Sequence, residues 1–235
     1  MSSIVKIYTP AVLLTIVAFV LAAQFIKPAP PSKVTMATGS ESGAYHSFAQ
    51  SYQRYLAAEG VELELIPTAG SVENQQLLRE GKVDMALVQS GIPDPFGIQL
   101  IESMGSVFYE PLWVFTSAKR PVGALRELAG LRMAIGGEGS GTRALATMLL
   151  GDNGISLDST QPLGGRAAYD ALKEGQVDAA FFVSAPRSLL VQEMLRDQAL
   201  NVMSFDRVQA YAKRYGFLSH VVLPQGIVDL QQDIP

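Results

Sequence analysis

The chain has 235 residues, a formal net charge of -4 at pH 7 and no cysteine. With 48% hydrophobic and 17% charged residues it has a globular composition rather than a disordered one, and its length suits one large domain or two small lobes. The acidic balance disfavours nucleic acid as a partner, because phosphate binding needs a clustered basic surface. The lack of cysteine excludes disulfides, thiolate metal sites and cysteine nucleophiles.

The N-terminal segment carries no charge from residue 8 to residue 26. A helix of that length is about enough to cross the core of a bilayer, and the Pro-rich run PAPPS behind it suits a stiff spacer. We therefore predict a transmembrane anchor or signal segment over 1-27, embedded in the membrane at about 8-26, and a linker over 28-33. Cleavage is the alternative, although Val20, Leu21 and Ala22 make a mediocre cleavage site.

Strands and helices alternate in the first half of the remaining chain, which predicts an α/β fold with mostly parallel sheets. Apolar runs predict short strands, and apolar residues at helical spacing predict helices. The predicted strands cover 34–37, 61–66 and 83–88, the helices cover 43–58 and 72–79, and a longer extended stretch covers 107–116.

The same order of elements then begins again. The predicted strands of the second half cover 131–135, 161–163 and 177–183, and the helices cover 142–150 and 167–173. An E-G-x-V-D-x-A motif closes each half, beginning at Glu80 and at Glu174, and a Ser-Gly pair opens the first helix of each half. We predict two α/β lobes around a cleft, lobe I over 34-117 and 218-235 and lobe II over 118-217. Two ordinary αβ turns remain the alternative, because glycine caps are common after helices.

The loop T-G-S-E-S-G-A-Y, from Thr38 to Tyr45, lies between a predicted strand and a predicted helix. Free N–H groups and the dipole at a helix N-terminus attract anions, and small residues allow a ligand to approach them. The alternative is simple capping of the helix by Ser42.

The loop G-G-E-G-S-G-T-R, from Gly136 to Arg143, holds the corresponding place in the second half. It lacks the lysine of a nucleotide-binding P-loop. Gly139, Gly141 and Ala144 fit the dinucleotide pattern G-x-G-x-x-A, but Asp158 precedes the next predicted strand instead of ending it, which disfavours that interpretation.

A third loop, T-A-G-S-V-E-N from Thr68 to Asn74, follows the second strand, and Gln89 ends the third strand at the same predicted edge.

Residue patterns typical of catalytic sites are sparse in the sequence. The two histidines, His46 and His220, stand alone and no G-x-S-x-G elbow is present, so we predict no catalytic residues, no metal site and no cofactor.

Five motifs in order resemble the TAXI solute receptors of tripartite ATP-independent periplasmic (TRAP) transporters: the three loops above, V-D-M-A-L-V-Q-S and F-Y-E-P-L-W-V-F. The resemblance runs from about Val34 to about Asp229 and implies a type II periplasmic-binding-protein fold. It also implies a receptor on the periplasmic, extracytoplasmic face that captures a small acidic solute, an amino acid such as glutamate or a dicarboxylate, and partners with the membrane subunits of a TRAP transporter.

The resemblance also implies the ligand-binding residues. They are Thr38, Ser42, Gly43, Tyr45, Thr68, Ser71, Asn74, Gln89, Ser140, Gly141, Thr142 and Arg143. Arg143 is the preferred partner of a ligand carboxylate, because a guanidinium can pair with it bidentately. The alternative is an arginine on a helix surface.

The sequence departs from the family in two places. His46 stands where the family usually has a second aromatic residue. Family members continue beyond Pro235, so the sequence is expected to be a fragment or a shortened form. An enzyme or a ligand-sensing ectodomain on the same fold is the alternative function.

Overall fold

The computed structural model describes residues 3–25, 31–41, 43–92 and 101–234, and the chain divides into two units, Met1–Ser32 and Lys33–Pro235. The first unit holds helix α1, Ser3–Phe25, which includes Pro10. Among the described residues, no helix has both the length and the apolar character that crossing a membrane requires. The predicted transmembrane helix over about 8-26 is therefore not supported.

The first sheet of the second unit is small and entirely parallel. Its strand order is β2-β1-β3, and β1 pairs with β2 over its full length. The predicted strand over 83–88 forms ladder pairs at only two residues. The elements in chain order are β1 Lys33–Ala37, α2 Ala44–Ala58, β2 Glu62–Ile66, α3 Ser71–Arg79 and β3 Met85–Ala86.

The second sheet has five strands in the order β6-β5-β7-β4-β8 and is mixed, because β4 runs antiparallel to both of its neighbours. A 3-10 helix covers Leu125–Leu128. The remaining elements are β4 Leu112–Ser117, β5 Met133–Ala134, α4 Gly141–Asp152, β6 Thr160–Gln161, α5 Gly165–Lys173, β7 Ala179–Val183, α6 Leu189–Arg196, β8 Leu200–Val202 and α7 Val208–Arg214. The sequence patterns did not predict α6, β8 or α7.

The predicted bounds of the two lobes, 34-117 with 218-235 and 118-217, stay a prediction. The strand at the end of predicted lobe I pairs with the second sheet, because β4 pairs with β7 from Leu112↔Val183 to Thr116↔Ala179. The chain therefore passes to the second sheet before Leu112. In this position β4 lies between β7 and β8, and helices cover both of its apolar faces.

Alternate residues of β4 supply two different cores. Val114 packs with Phe181 and the apolar side of α4, whereas Trp113 and Phe115 pack with the apolar sides of α5 and α6. This period of two is the pleat of a strand that is covered on both faces. The first sheet has a much smaller core, formed by Met36, Ala49, Leu63 and Leu87.

The repeated E-G-x-V-D-x-A motif builds the same connection twice. In the first sheet the Asp84 carboxylate accepts hydrogen bonds of 2.8 Å from the Thr35 N–H and hydroxyl, at the residue before the β1–β3 ladder. In the second sheet the Asp178 carboxylate accepts from the Arg132 N–H at 2.9 Å, at the residue before the β5–β7 ladder. Each aspartate therefore fixes the register between the strand that follows it and the parallel neighbour of that strand.

Hydrogen bonds lower the pKa of both carboxyls. The backbone N–H of Thr35 is the main cause for Asp84. The side chain of Arg132, which forms an ion pair of 2.9 Å, is the main cause for Asp178. The preceding glycines, Gly81 and Gly175, both have positive φ, as the end of a helix before such a turn requires.

We predict that Asp178→Ala lowers the free energy of unfolding by about 1 kcal/mol at neutral pH, because it removes a charge-assisted acceptor of a backbone N–H. Asp158→Ala, at an exposed aspartate, is the matched control. Since the folded-state pKa of Asp178 is lowered, its contribution is present above about pH 4 and is lost as the pH falls through the folded pKa. Thermal melts from pH 7 down to pH 3 should show the gap between wild type and Asp178→Ala closing. A constant gap would contradict the assignment.

Candidate functional site

The loop after β5 lies directly against the N-terminus of α3. The Gly139 carbonyl accepts hydrogen bonds from the N–H groups of Val72 and Glu73, at 3.1 Å and 3.3 Å. Gly70, the N-cap of α3, has φ 129 and no side chain to cap the helix. A Cβ atom at Gly70 would lie 3.4 Å from the Ser140 Cα. The loop over 136–143 is therefore in contact with the loop over 68–74, whereas its predicted counterpart was the loop over 38–45.

The start of α4 is equally close to the first sheet. A Cβ atom at Gly141 would lie 3.0 Å from the Ser71 Oγ and would overlap the Gln89 side-chain oxygen. Ser71 in turn accepts a 2.9 Å hydrogen bond from the Gln89 N–H. Three of the predicted site residues, Ser71, Gln89 and Gly141, thus meet at one point, which we call the loop junction.

Three other predicted site residues form a buried structural network. The Asn74 amide donates to the carbonyl oxygens of Thr38 and Leu87, at 2.5 Å and 2.7 Å, and so joins the ends of β1 and β3. The Thr68 hydroxyl lies 2.6 Å from the Asn74 Oδ1 and 3.2 Å from the Thr38 carbonyl. Asn74 and Thr38 are fully buried. The hydrogen bonds of these three residues fix the strand ends beside the loop junction.

The residues that open α2 and α4 mainly serve the helices themselves. Gly43 is the N-cap of α2 and donates its N–H to the Ser40 carbonyl at 2.7 Å. Ser140 caps α4 by accepting from the Arg143 N–H at 3.2 Å. The Thr142 hydroxyl accepts from the Val183 N–H at 3.1 Å, which ties α4 to the end of β7. Ser42 lies outside the described residues.

Arg143 has one guanidinium nitrogen that is buried and has no hydrogen-bond partner among the described residues. Its Nη2 pairs with the Glu138 carboxylate at 3.0 Å, and that carboxylate is 76% exposed. Its Nη1 is buried without a hydrogen-bond partner within the structure. A buried cationic donor without an acceptor costs free energy. Of the predicted site residues, Arg143 therefore retains the clearest unused capacity for an acidic group.

Tyr45 contacts a carboxyl that the sequence patterns did not predict for the site. The Tyr45 hydroxyl donates to the Glu110 Oε2 at 2.5 Å and lies 3.3 Å from the Ser71 Oγ. The Phe108 ring packs edge-on against Tyr45, with ring centroids 6.2 Å apart. Residues 108 to 110 thus attach the chain before β4 to α2. The F-Y-E-P motif held the only sequence signal, an acidic residue among aromatic ones.

Burial dominates the electrostatics of this pair. It raises the pKa of Glu110 to about 7, against the opposing effect of the hydrogen bond from Tyr45. Burial also raises the pKa of Tyr45 well above its usual value, and the neighbouring Glu110 charge adds to that increase. Tyr45 therefore remains a phenol at physiological pH, while Glu110 changes charge within the physiological range.

Tyr45, Gln89 and Glu110 also line a cavity of about 1410 Å³. Most of its other described walls are apolar, including Phe48, Leu145, Leu149, Phe205 and Phe217. Arg143 and Asn74 are not among its described lining residues. Within the described ranges, no three histidine or acidic side chains come close enough together to hold a metal ion.

The two sheets, their helices and the contacting loops define an α/β protein of the periplasmic-binding-protein-like class. An ancestral arginine-binding protein bound to arginine matches with a TM-score of 0.56 and 13% identity, over 74% of this chain and 79% of its own. The alkanesulfonate-binding protein SsuA from Xanthomonas axonopodis pv. citri bound to MOPS matches with a TM-score of 0.54 and 17% identity, over 80% of this chain and 70% of its own. The BenM effector binding domain with its effector benzoate matches with a TM-score of 0.50 and 14% identity, over 80% of this chain and 95% of its own. At these identities the likeness establishes the fold.

The chain belongs to the NMT1-like family, whose model matches residues 36–235. None of the curated proteins matches the sequence. The predicted periplasmic-binding-protein-like fold is thus confirmed, and its assignment to the TAXI receptors stays a prediction.

We predict that Gly141→Ala separates the two loops, because the new methyl group would overlap Gln89 and crowd Ser71. Gly151→Ala is the matched control, since it lies in the same helix with nothing within 4 Å of the new Cβ atom and should stabilise by up to about 1 kcal/mol through helix propensity. Amide hydrogen exchange at Val72 and Glu73 should become faster in Gly141→Ala and remain unchanged in Gly151→Ala. Unchanged exchange in both would show that the loop contact tolerates the methyl group.

We predict that Glu110→Gln makes the protein progressively more stable than wild type as the pH rises from about 4.5 to about 7. The folded-state pKa of Glu110 is raised, so the folded chain binds more protons than the unfolded chain in that window, and wild-type stability falls with pH there. Glutamine still accepts the Tyr45 hydrogen bond. Melting temperatures at pH 5 and pH 8 test this, with the exposed Glu102→Gln as control. The same difference from wild type at both pH values would rule out the raised pKa.

Proposed function

We propose that the protein is an extracytoplasmic solute-binding receptor that captures a small acidic solute, an amino acid such as glutamate or a dicarboxylate, for a TRAP-type secondary transporter. The fold and the family support a binding protein, and the five sequence motifs support the TAXI type. In this proposal the chain binds and releases its solute without catalysing a reaction.

The unused Nη1 of Arg143 is the observation that carries the proposal. Its guanidinium already holds one exposed carboxylate, that of Glu138, through a 3.0 Å ion pair. A solute carboxylate would provide the acceptor that the buried Nη1 lacks. Because Glu138 is exposed, its contribution is weak, and a buried solute could replace it at little cost.

The N-terminus of α3 offers a second point of attachment. Its Val72 and Glu73 N–H groups donate to the Gly139 carbonyl, which is an oxygen acceptor supplied by the opposite loop. When the loops move apart, these two N–H groups lose their acceptor. A carboxylate would then restore two hydrogen bonds and would also be favoured by the helix dipole.

These two attachments define a closing mechanism. The solute enters between separated loops, its acidic group binds the α3 N-terminus or Arg143, and the loops close over it as in other hinged binding proteins. The predicted residues Tyr45, Ser71, Gln89 and Gly141 would form the rim of the closed site. The buried network of Thr38, Thr68 and Asn74 would keep that rim in place. The closed receptor would then dock on the membrane subunits of the transporter.

We predict that glutamate or a dicarboxylate raises the melting temperature of the full chain and that Arg143→Ala abolishes this increase. A ligand at a hundredfold excess over its Kd stabilises by about 2.7 kcal/mol, which corresponds to roughly 5–10 °C for a chain of this size. Arg54→Ala, at an exposed arginine on α2, is the matched control and should retain the shift. The panel should include amino acids, dicarboxylates and nicotinamide nucleotides.

Each other outcome has a definite meaning. A shift with nucleotides alone would overturn the receptor proposal and favour the dinucleotide interpretation of the Gly136 loop. An acidic-solute shift that persists in Arg143→Ala would keep the receptor but remove Arg143 from the site. Melting without ligand shows whether each variant is folded.

A further inference from the structure

A short hydrogen-bonded path connects Glu110 to the loop junction. The carboxyl accepts from the Tyr45 hydroxyl at 2.5 Å, and that hydroxyl lies 3.3 Å from the Ser71 Oγ. Ser71 is the residue against which the start of α4 packs, at Gly141. The carboxyl thus lies two hydrogen bonds from the point where the proposed solute site closes.

No basic residue is present among the described residues of the cavity wall that Glu110 lines. The described ionisable residues that share its cavity wall are all acids or phenols: Tyr45, Tyr52, Asp84, Glu102, Tyr109 and Tyr211. Asp84 is held by Thr35, and Glu102 is exposed. On α2, the His46 ring lies against the Thr38 hydroxyl, at 3.2 Å. The Tyr45 hydroxyl, which donates a hydrogen bond to the carboxyl, is therefore the polar group that stabilises the Glu110 charge.

We infer that Glu110 determines which ligand charge the site accepts, and that an acidic solute binds to the form of the protein in which the Glu110 carboxyl is neutral. This inference rests on the proposed function. Two negative charges that share a partly buried region repel each other much more strongly than in water. The solute therefore shifts the equilibrium of Glu110 towards the acid, and binding takes up a proton from the solvent.

The proton balance is simple. One H⁺ moves from solvent to a Glu110 carboxylate oxygen, and no covalent bond to the solute forms or breaks. Tyr45 keeps its proton throughout, because burial and the neighbouring carboxylate both disfavour its ionised form. The neutral carboxyl still accepts from the Tyr45 hydroxyl and gains an O–H donor, so protonation preserves the path to Ser71.

A preference among solutes follows. A solute with two negative charges repels ionised Glu110 more than a solute with one, so its affinity should depend more steeply on pH. A solute with an ammonium group near Glu110 would have the opposite dependence, because it prefers the ionised carboxyl. Glu110 would therefore act as a specificity-determining residue.

Isothermal titration of the full chain with L-glutamate and with succinate tests the inference. The titrations use phosphate and Tris buffers at the same pH, because their different ionisation enthalpies reveal proton uptake. For wild type we expect uptake of up to about one proton per succinate, and succinate affinity that falls up to about tenfold per pH unit above about pH 7. Glu110→Gln should show neither effect and should bind more tightly at pH 8. Glu102→Gln, on the same segment, should behave as wild type.

The outcomes separate the inference from the proposed function. Binding with equal proton uptake in wild type and Glu110→Gln would overturn the inference and leave the receptor intact. Succinate binding that strengthens with rising pH in wild type would also overturn it, because succinate carries no ammonium group. If neither these probes nor the other acidic solutes bind, the proposed function fails and the inference fails with it.

Discussion

The N-terminus of α3 requires acceptors for its first N–H groups, and its own sequence supplies few. Its N-cap is Gly70, which has no side chain to accept a hydrogen bond. The acceptor instead comes from the Gly139 carbonyl of the loop after β5. This requirement for an acceptor joins the loop after β2 to the loop after β5, and glycines in both loops allow the backbones to approach closely. The positions of Ser71, Gln89, Gly141 and the proposed solute site all follow from it.

Much of the fold could be predicted because it depends on local patterns. Apolar runs and helical spacing located β1, α2, β2, α3, α4, α5 and β7 to within a few residues. The repeated E-G-x-V-D-x-A motif also had a local meaning, since a glycine with positive φ and a strand-entry aspartate have the same roles at Asp84 and Asp178. Polar residues at the strand ends were likewise correctly expected near one another.

The remainder depended on contacts between distant parts of the chain. The apolar run of β4 fitted either sheet, and only its pairing with β7 and β8 decides between them. Glu110 is an ordinary glutamate in sequence and becomes unusual only because the fold buries it, against Tyr45 of α2. Thr38, Thr68 and Asn74 looked like ligand contacts, yet much of their hydrogen-bonding capacity serves the protein itself. A polar residue at a strand end can form its hydrogen bonds with the protein itself or with a ligand, and the sequence does not distinguish the two.

The position of β4 has a consequence for biosynthesis. Leu112–Ser117 leaves the ribosome well before its neighbours in the sheet, Ala179–Val183 and Leu200–Val202. During that interval an apolar strand with two unpaired edges is exposed in the nascent chain. Such strands are prone to associate with one another. The second sheet can close only after translation has passed β8, so β4 stays without both of its partner strands throughout that interval.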